Sequence, residues 1–329
     1  MIDVFTVSPR STEPEQYWSG ITRVFDLSER HGYSGTLIFT GNDTFVEPWV
    51  AAQHLVTTRS HLVPLIAVNP VYMHPFTTAK LIASLGYVYG RPVYLNMVTG
   101  AALSYLHSLG DQVQHDERYT RLGEYMGIVR GLLTQPRFSF KGRYYQLDQV
   151  HLAPRPEPAL QPKFLLSGQS PAALAVAQAT GACTMQMLSG ELGASVRPGS
   201  RGIHFGVVAR ATEAEAWSAA RAQFPDDPEG QMMLELSMSN TDSLWKQRMM
   251  IAAQQGAGRP GYWLDPFRNL KADCPYFVGS HAQVAALVRS LVDAGITTII
   301  LDLPPVEAEF EHAAAALAEA GVRMARAGE

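Results

Sequence analysis

Cysteine is scarce in this chain: there are two in 329 residues, Cys183 and Cys274. They show neither metal-ligand spacing nor a pairing pattern, so no disulfide framework and no zinc motif is expected to organise the fold. Each reads as a buried thiol in a reducing cytoplasm. A basic surplus is also missing. The net charge is −4, which argues against a nucleic-acid binder. No apolar run approaches the ~18–20 residues of a membrane helix. Met1-Ile2-Asp3-Val4-Phe5 opens directly on strand-like sequence, so no targeting segment and a cytoplasmic location are expected. Internal repeats, low-complexity segments and a Gly-x-Gly-x-x-Gly turn after a strand are lacking too, the last removing the dinucleotide-binding fingerprint.

What is present is a long alternation of strand-like and helix-like segments. Strand patterns fall at residues 2–8, 36–41, 61–70, 93–99, 164–167, 183–188, 202–209 and 297–303. Several are apolar at successive positions, as strands buried on both faces are. Helical periodicity falls at 13–31, 48–58, 75–87, 119–133, 171–180, 212–223, 282–294 and 306–320. Eight strand-helix pairs in this order point to an α/β fold, a closed (β/α)8 TIM barrel in a single domain spanning 1–329, rather than a doubly wound sheet. Residues 138–147 read as a hairpin and the proline-rich 154–162 as an extended surface connector. Two irregularities interrupt the alternation. The connection between the sixth and seventh strands, 189–201, has room for one helical turn at most. Before the last helix-strand pair, 225–274 forms an insertion with a methionine-rich helical block at 230–255. That block suits core or dimer packing, or a lid.

In a barrel of this kind, chemistry collects at the C-terminal ends of the strands. The fourth strand ends in Asn96 and Thr99. His115 and Tyr119 stand four residues apart at the start of the next long helix and so share a face. Together they suit a clamp for a polar, anionic ligand. Ser167-Gly168-Gln169-Ser170-Pro171 joins the fifth strand to a helix. Exposed N–H groups and the positive dipole end there favour a phosphate, although Ser170-Pro171 is also an ordinary capping pair. Further strand-tip residues are Thr40, Asn42, Phe45, Asn69, Tyr72, Met73, His74, Met187, His204 and Asp302, a lining with little charge that suits a neutral or hydrophobic substrate. His204 is the foremost acid/base candidate, because imidazole titrates near neutrality. Asn69 and His74 are the other catalytic candidates, and no metal is expected.

Asn96-Met97-Val98-Thr99-Gly100 followed by His115-Asp116-Glu117-Arg118-Tyr119 resembles the flavin-dependent monooxygenases of the bacterial luciferase superfamily, in the branch of alkanesulfonate, long-chain alkane and nitrilotriacetate monooxygenases. The likeness covers most of residues 1–180 and returns at 212–217 and 276–301. It implies a homodimer that takes reduced FMN from a separate flavin reductase and activates oxygen on it. By position it assigns flavin contacts to Asn96, Thr99, His115, Tyr119, Gly168, Ser170 and Thr40, and it places His74 near the flavin ring.

The departures concern the substrate. The family's cysteine after strand two is replaced here by Thr40-Gly41-Asn42, its strand-three arginine by Asn69, its strand-seven arginine and histidine by His204 and Gly206, and its Tyr-Pro-His by Leu303-Pro304-Pro305. A sulfonate needs arginine-type donors. The resemblance therefore implies oxygenation of some other small or carrier-bound organic molecule. Two alternatives stay open: a deazaflavin-dependent hydride-transfer enzyme, and a catalytically silent partner subunit.

Overall fold

The computed structural model describes residues 1–9, 13–190, 196, 199–256 and 258–324. The chain runs β1 (Asp3–Val7), α1 (Pro14–Arg30), β2 (Gly35–Ile38), α2 (Pro48–Thr58), β3 (Val63–Val68), α3 (Pro75–Tyr89), β4 (Tyr94–Met97), α4 (Leu103–Ser108) and α5 (His115–Thr134). It continues through the hairpin β5 (Phe138–Lys141) and β6 (Gln146–Val150) to β7 (Phe164–Ser167), α6 (Pro171–Thr180), β8 (Cys183–Met187), β9 (Gly202–Arg210) and α7 (Glu213–Gln223). The insertion follows as α8 (Pro228–Met238), α9 (Leu244–Gln255), β10 (Tyr262–Trp263) and α10 (Asp265–Arg268). The chain ends in β11 (Tyr276–Ser280), α11 (His281–Asp293), β12 (Thr298–Asp302) and α12 (Glu307–Glu319).

Strands β1, β2, β3, β4, β7, β8, β9 and β12 pair in parallel, in that order, and β12 returns to β1. The result is the closed eight-stranded barrel expected from the alternation. Both faces of each strand are buried, which is why the strands read as apolar runs. Phe5 and Val7 point inward with Leu37, Leu65, Ala67, Leu165, Met185 and Ile300. Val4 points outward beneath the helices with Val24 and Leu27 of α1. Adjacent strands approach closely at Gly35, where a Cβ would lie 1.9 Å from the carbonyl oxygen of Val63. Proline opens α1, α2, α3, α6 and α8. At that position its missing N–H costs nothing and its fixed φ is already helical.

Three features differ from the sequence reading. Helix α5 is not one of them: it begins at His115, the helix start read for the His115/Tyr119 pair, four residues before its apolar periodicity appears at 119. Its first turn, His115-Asp116-Glu117, is polar and hides the periodicity, while the two carboxylates favour a helix N-terminus. The helical block expected at 230–255 is two helices. Between them, Ser239-Asn240-Thr241-Asp242-Ser243 is a run of short polar side chains that bond to nearby backbone and compete with the helical ladder. Helix α4 and strand β11 were not foreseen. The first is only six residues long. The second adds to the barrel from outside, pairing with the upper half of β9 from Gly206 to Arg210. Most of the short connection between β8 and β9, expected to hold one turn at most, lies outside the described residues. Among the described residues, no helix is long and apolar enough to cross a membrane.

Candidate active site

A cavity of about 390 Å³ opens at the C-terminal end of the barrel. Of the residues singled out from the sequence, Thr40, Asn69, Asn96, Thr99, His115, Tyr119, Gly168, Ser170 and His204 all line it. Its floor is the apolar top of the barrel interior, with Leu37, Ala67, Met185 and Ile300.

One side of the cavity is the meeting of the two sequence motifs. Tyr119 is 5 % exposed, and its hydroxyl donates to the Ser167 carbonyl at 3.4 Å. Burial pushes the Tyr119 phenol up, against a hydrogen bond with Thr99, so it stays neutral and able to donate. The His115 ring stands edge-on to Tyr119 with centroids 5.3 Å apart, and His115 Nδ1 lies 2.7 Å from Asp116 Oδ1. Ser167 Oγ donates to Asn96 Oδ1 at 2.8 Å. The clamp and the Ser-Gly-Gln-Ser turn therefore form one hydrogen-bonded unit.

At that turn Gly168 adopts φ 153°, and a Cβ there would sit 2.3 Å from Tyr119 Oη. Ser170 caps α6, accepting from Ala173 N at 3.1 Å. The capping role and a ligand role are compatible: Gly168, Gln169 and Ser170 line the cavity, so the positive end of the α6 dipole borders it even though Pro171 has no N–H and the Ala173 N–H is taken by Ser170. Backbone this close to a polar pocket suits a phosphate-sized anion.

The sequence profile of the luciferase-like monooxygenase family matches residues 1–298. The chain belongs to this family. It is 29 % identical over 310 residues, covering 91 % of this chain and 90 % of the relative, to the 4-(gamma-L-glutamylamino)butanoyl-[BtrI acyl-carrier protein] monooxygenase BtrO of Niallia circulans. Among solved structures it resembles DmoA from Hyphomicrobium sulfonivorans (TM-score 0.74, 15 % identity, 99 % of this chain and 90 % of that one). It also resembles the oxygenating constituent of 3,6-diketocamphane monooxygenase from Pseudomonas putida in complex with FMN (TM-score 0.70, 14 % identity, 98 % and 99 %). At these identities the structural likenesses speak for the fold. As a luciferase-like monooxygenase the chain is an oxidoreductase of the flavin-dependent type.

Within this luciferase-like monooxygenase, the candidates do not all converge. Asn69 reaches the cavity wall, but its Oδ1 accepts from Val71 N at 3.1 Å, closing a turn. Asn42, Phe45, Met73, His74 and Asp302 do not line the cavity, contrary to the sequence expectation. Asn42 Oδ1 accepts from the Tyr72 hydroxyl at 2.7 Å, and Phe45 stands edge-on to Tyr17. His74 is the N-cap of α3: its Nδ1 accepts from Phe76 N at 3.2 Å, and its ring rests on Tyr145. His74→Ala should thus cost about 1 kcal/mol of stability and leave turnover within about twofold, separable by urea denaturation and steady-state kinetics.

Sequence reasoning missed three contributions. Gln186 of β8, 3 % exposed, lines the cavity beside His204 of β9, which is 8 % exposed. Its only signal was a glutamine inside an apolar strand. Ser167, passed over because it departs from the family pattern, binds Asn96. The insertion supplies Asp242, Ser243, Leu244, Trp245 and Lys246 to the wall, in keeping with the lid reading. Of these, Lys246 lies 3.5 Å from Asp273, so its charge is answered locally.

The segment leading to His115 is held by Asp111, whose carboxylate takes both Arg121 guanidinium contacts at 2.9 and 2.7 Å. Burial pushes the Asp111 carboxyl up, but the Arg121 hydrogen bond and charge outweigh it and hold the group below its ordinary value. A depressed folded-state pKa contributes stability above the unfolded value near 3.8 and loses it as pH falls below that. Asp111→Asn should remove that acid-dependent component, giving a flatter urea midpoint between about pH 5 and pH 3 than the wild type.

Proposed function

We propose that this enzyme takes reduced FMN from a separate reductase and oxygenates a neutral acyl substrate presented on a carrier. The observation that carries the cofactor reading is the joining of the two motifs through Tyr119 and Ser167 at the edge of one cavity. The α6 N-terminus, with Gly168 and Ser170, receives the phosphate, while Asn96, Thr99, His115 and Tyr119 hold the polar edge of the ring system. Reduced FMN, when bound, supplies the electrons that activate oxygen. The chain contributes position and dryness: Leu37, Ala67, Met185 and Ile300 keep water from the floor. His204, buried at the same wall, is the group placed to hold or deliver a proton.

The substrate reading rests on the wall's electrostatics and on the relative BtrO, which acts on an acyl group held by a carrier protein. Lys246 is engaged by Asp273, and Asn69 stands where a sulfonate site needs a cation. A hard anion would find weak support there. Asn69, Asn96 and Gln186 instead offer neutral hydrogen bonds suited to an amide-bearing acyl chain.

Fluorescence titration with FMN, riboflavin and the deazaflavin coenzyme tests the cofactor half. FMN should bind about 100-fold more tightly than riboflavin, since a charged phosphate held by a helix start and backbone donors is worth roughly 2–3 kcal/mol. Failure of both FMN redox states to bind, or preference for the deazaflavin, overturns it. Turnover on carrier-bound against free acyl amides, with reductase supplied, tests the substrate half.

A further inference from the structure

We propose that His204, Cys274 and Asp302 form a binding site for a divalent cation of the zinc class beside the active-site cavity. Their donor atoms, one imidazole nitrogen, the thiol sulfur and one carboxylate oxygen, all lie within 4.8 Å of one another. Cys274 Sγ donates to Asp302 Oδ2 at 3.7 Å. Ligand distances of roughly 2.3 Å to sulfur and 2.1 Å to oxygen at a tetrahedral angle place those two atoms about 3.6 Å apart, so this edge already has the spacing of a metal site.

The fold brings the three together although they are far apart in sequence. Asp302 pairs in register with Gly206 of β9, and Tyr276 pairs with the same Gly206 across its other edge. Gly206 N donates to the Pro275 carbonyl at 2.8 Å, which holds the 274–276 stretch against β9. His204 lies two positions earlier on β9 and faces the same side. A Cβ at Gly206 would meet the Tyr276 ring at 2.2 Å, so glycine is what lets β11 close on β9 here.

Thiolate, imidazole and carboxylate are together a zinc-class donor set rather than one for magnesium or calcium. Binding replaces the Cys274 S–H proton, released to solvent, with the metal bond. The thiolate and carboxylate then balance the two positive charges, which a buried site requires. Cys274 is 0 % exposed and, of the three, His204 alone lines the cavity, so the side of the cluster nearest the cavity is the one on which a fourth, open position would lie. Three protein ligands and one open position describe a reactive or inhibitory site rather than a closed structural one. Occupancy withdraws the His204 imidazole from proton transfer, a consequence that rests on the role given to His204 above.

Cobalt(II) titration of the purified, flavin-free full chain tests the site without reference to flavin binding. We expect saturation at one equivalent, with a thiolate-to-cobalt charge-transfer band. Cys274→Ser should abolish the band and weaken binding by more than about 100-fold, whereas Cys183→Ser should keep both. Asp302→Asn should weaken binding with the band retained, which serves if Cys274→Ser fails to fold. Absence of the band in wild type, or its survival in Cys274→Ser or loss only in Cys183→Ser, overturns the site. Zinc should also inhibit wild-type turnover reversibly on chelation, and turnover indifferent to zinc at saturating cobalt-competent concentrations overturns the inhibitory consequence.

Discussion

Gly168→Ala is expected to weaken FMN binding by about 30-fold while the barrel remains folded. The added Cβ would sit 2.3 Å from Tyr119 Oη, 3.0 Å from Tyr119 Cζ and 2.9 Å from Ala173 Cβ. Ala173 is fixed in the first turn of α6, so the Tyr119 ring or the loop must yield. Either movement breaks the contact between Tyr119 and the Ser167 carbonyl and pulls apart the two halves of the cofactor clamp. One lost hydrogen bond plus a misplaced ring amounts to roughly 2 kcal/mol, which is about 30-fold in a dissociation constant. The φ of 153° adds strain for any residue with a Cβ, about 1–3 kcal/mol of stability. Tyr119→Phe supplies the discriminating partner, because it removes the atom the Cβ would strike. Isothermal titration of both single variants and the double should therefore show a double loss smaller than the sum. Additive losses would mean that Gly168 and Tyr119 act at separate places, and the shared clamp would be wrong.

The same pair shows which part of the site was legible in the sequence and which was not. Asn96-x-Val98-Thr99 and His115 to Tyr119 announced themselves because a strand tip and a helix start keep their side chains in fixed relation through local geometry. All eight barrel strands were readable for a related reason: burial on both faces leaves a continuous apolar run. What stayed hidden depends on long-range closure. That the Tyr119 hydroxyl meets the Ser167 carbonyl, 48 residues away, is set by the pairing of β4 with β7. The meeting of His204, Cys274 and Asp302 is set by β9 pairing with both β12 and the unforeseen β11 at Gly206. His74 shows a structural role beside the one read from its position. A histidine before a proline near a strand tip looked chemical, and its ring nitrogen turned out to be occupied in capping α3. The insertion stayed ambiguous because its methionines describe packing, whereas the residues that reach the cavity are Asp242 and Ser243 at the end of its break and Leu244 to Lys246 in the first turn of α9.

That break carries the larger stability prediction. Arg118 of α5 has a side chain only 2 % exposed, and its Nη2 contacts both Asp242 oxygens at 2.8 and 2.7 Å. Its Nη1 donates to the Val113 carbonyl at 3.3 Å. Asp242→Asn keeps the volume and removes the charge, leaving a buried guanidinium with one neutral amide in place of a carboxylate. Breaking a fully buried pair costs 3–5 kcal/mol, and the 29 % exposure of Asp242 lowers the expectation to about 2–3 kcal/mol. The loss should appear as a shift in urea midpoint without a change in slope. Replacing both partners with apolar residues, Arg118→Met with Asp242→Leu, should recover much of it, because the desolvated charge is then gone. Function should respond differently. The insertion is also tied to the first turn of α4, where Leu103 N donates to the Asn240 carbonyl at 2.9 Å and Ser104 N to Asn240 Oδ1 at 2.8 Å. Asp242→Asn therefore loosens one anchor among several, and residues 242–246 shift from the cavity wall while the contacts at 240 persist. Hydrogen exchange should accelerate across 241–249 and stay unchanged in the barrel strands. Flavin release should quicken in step with it, because this wall stands beside His115. Equal acceleration throughout the barrel would place Arg118 in the general core and remove the insertion from any part in closing the site.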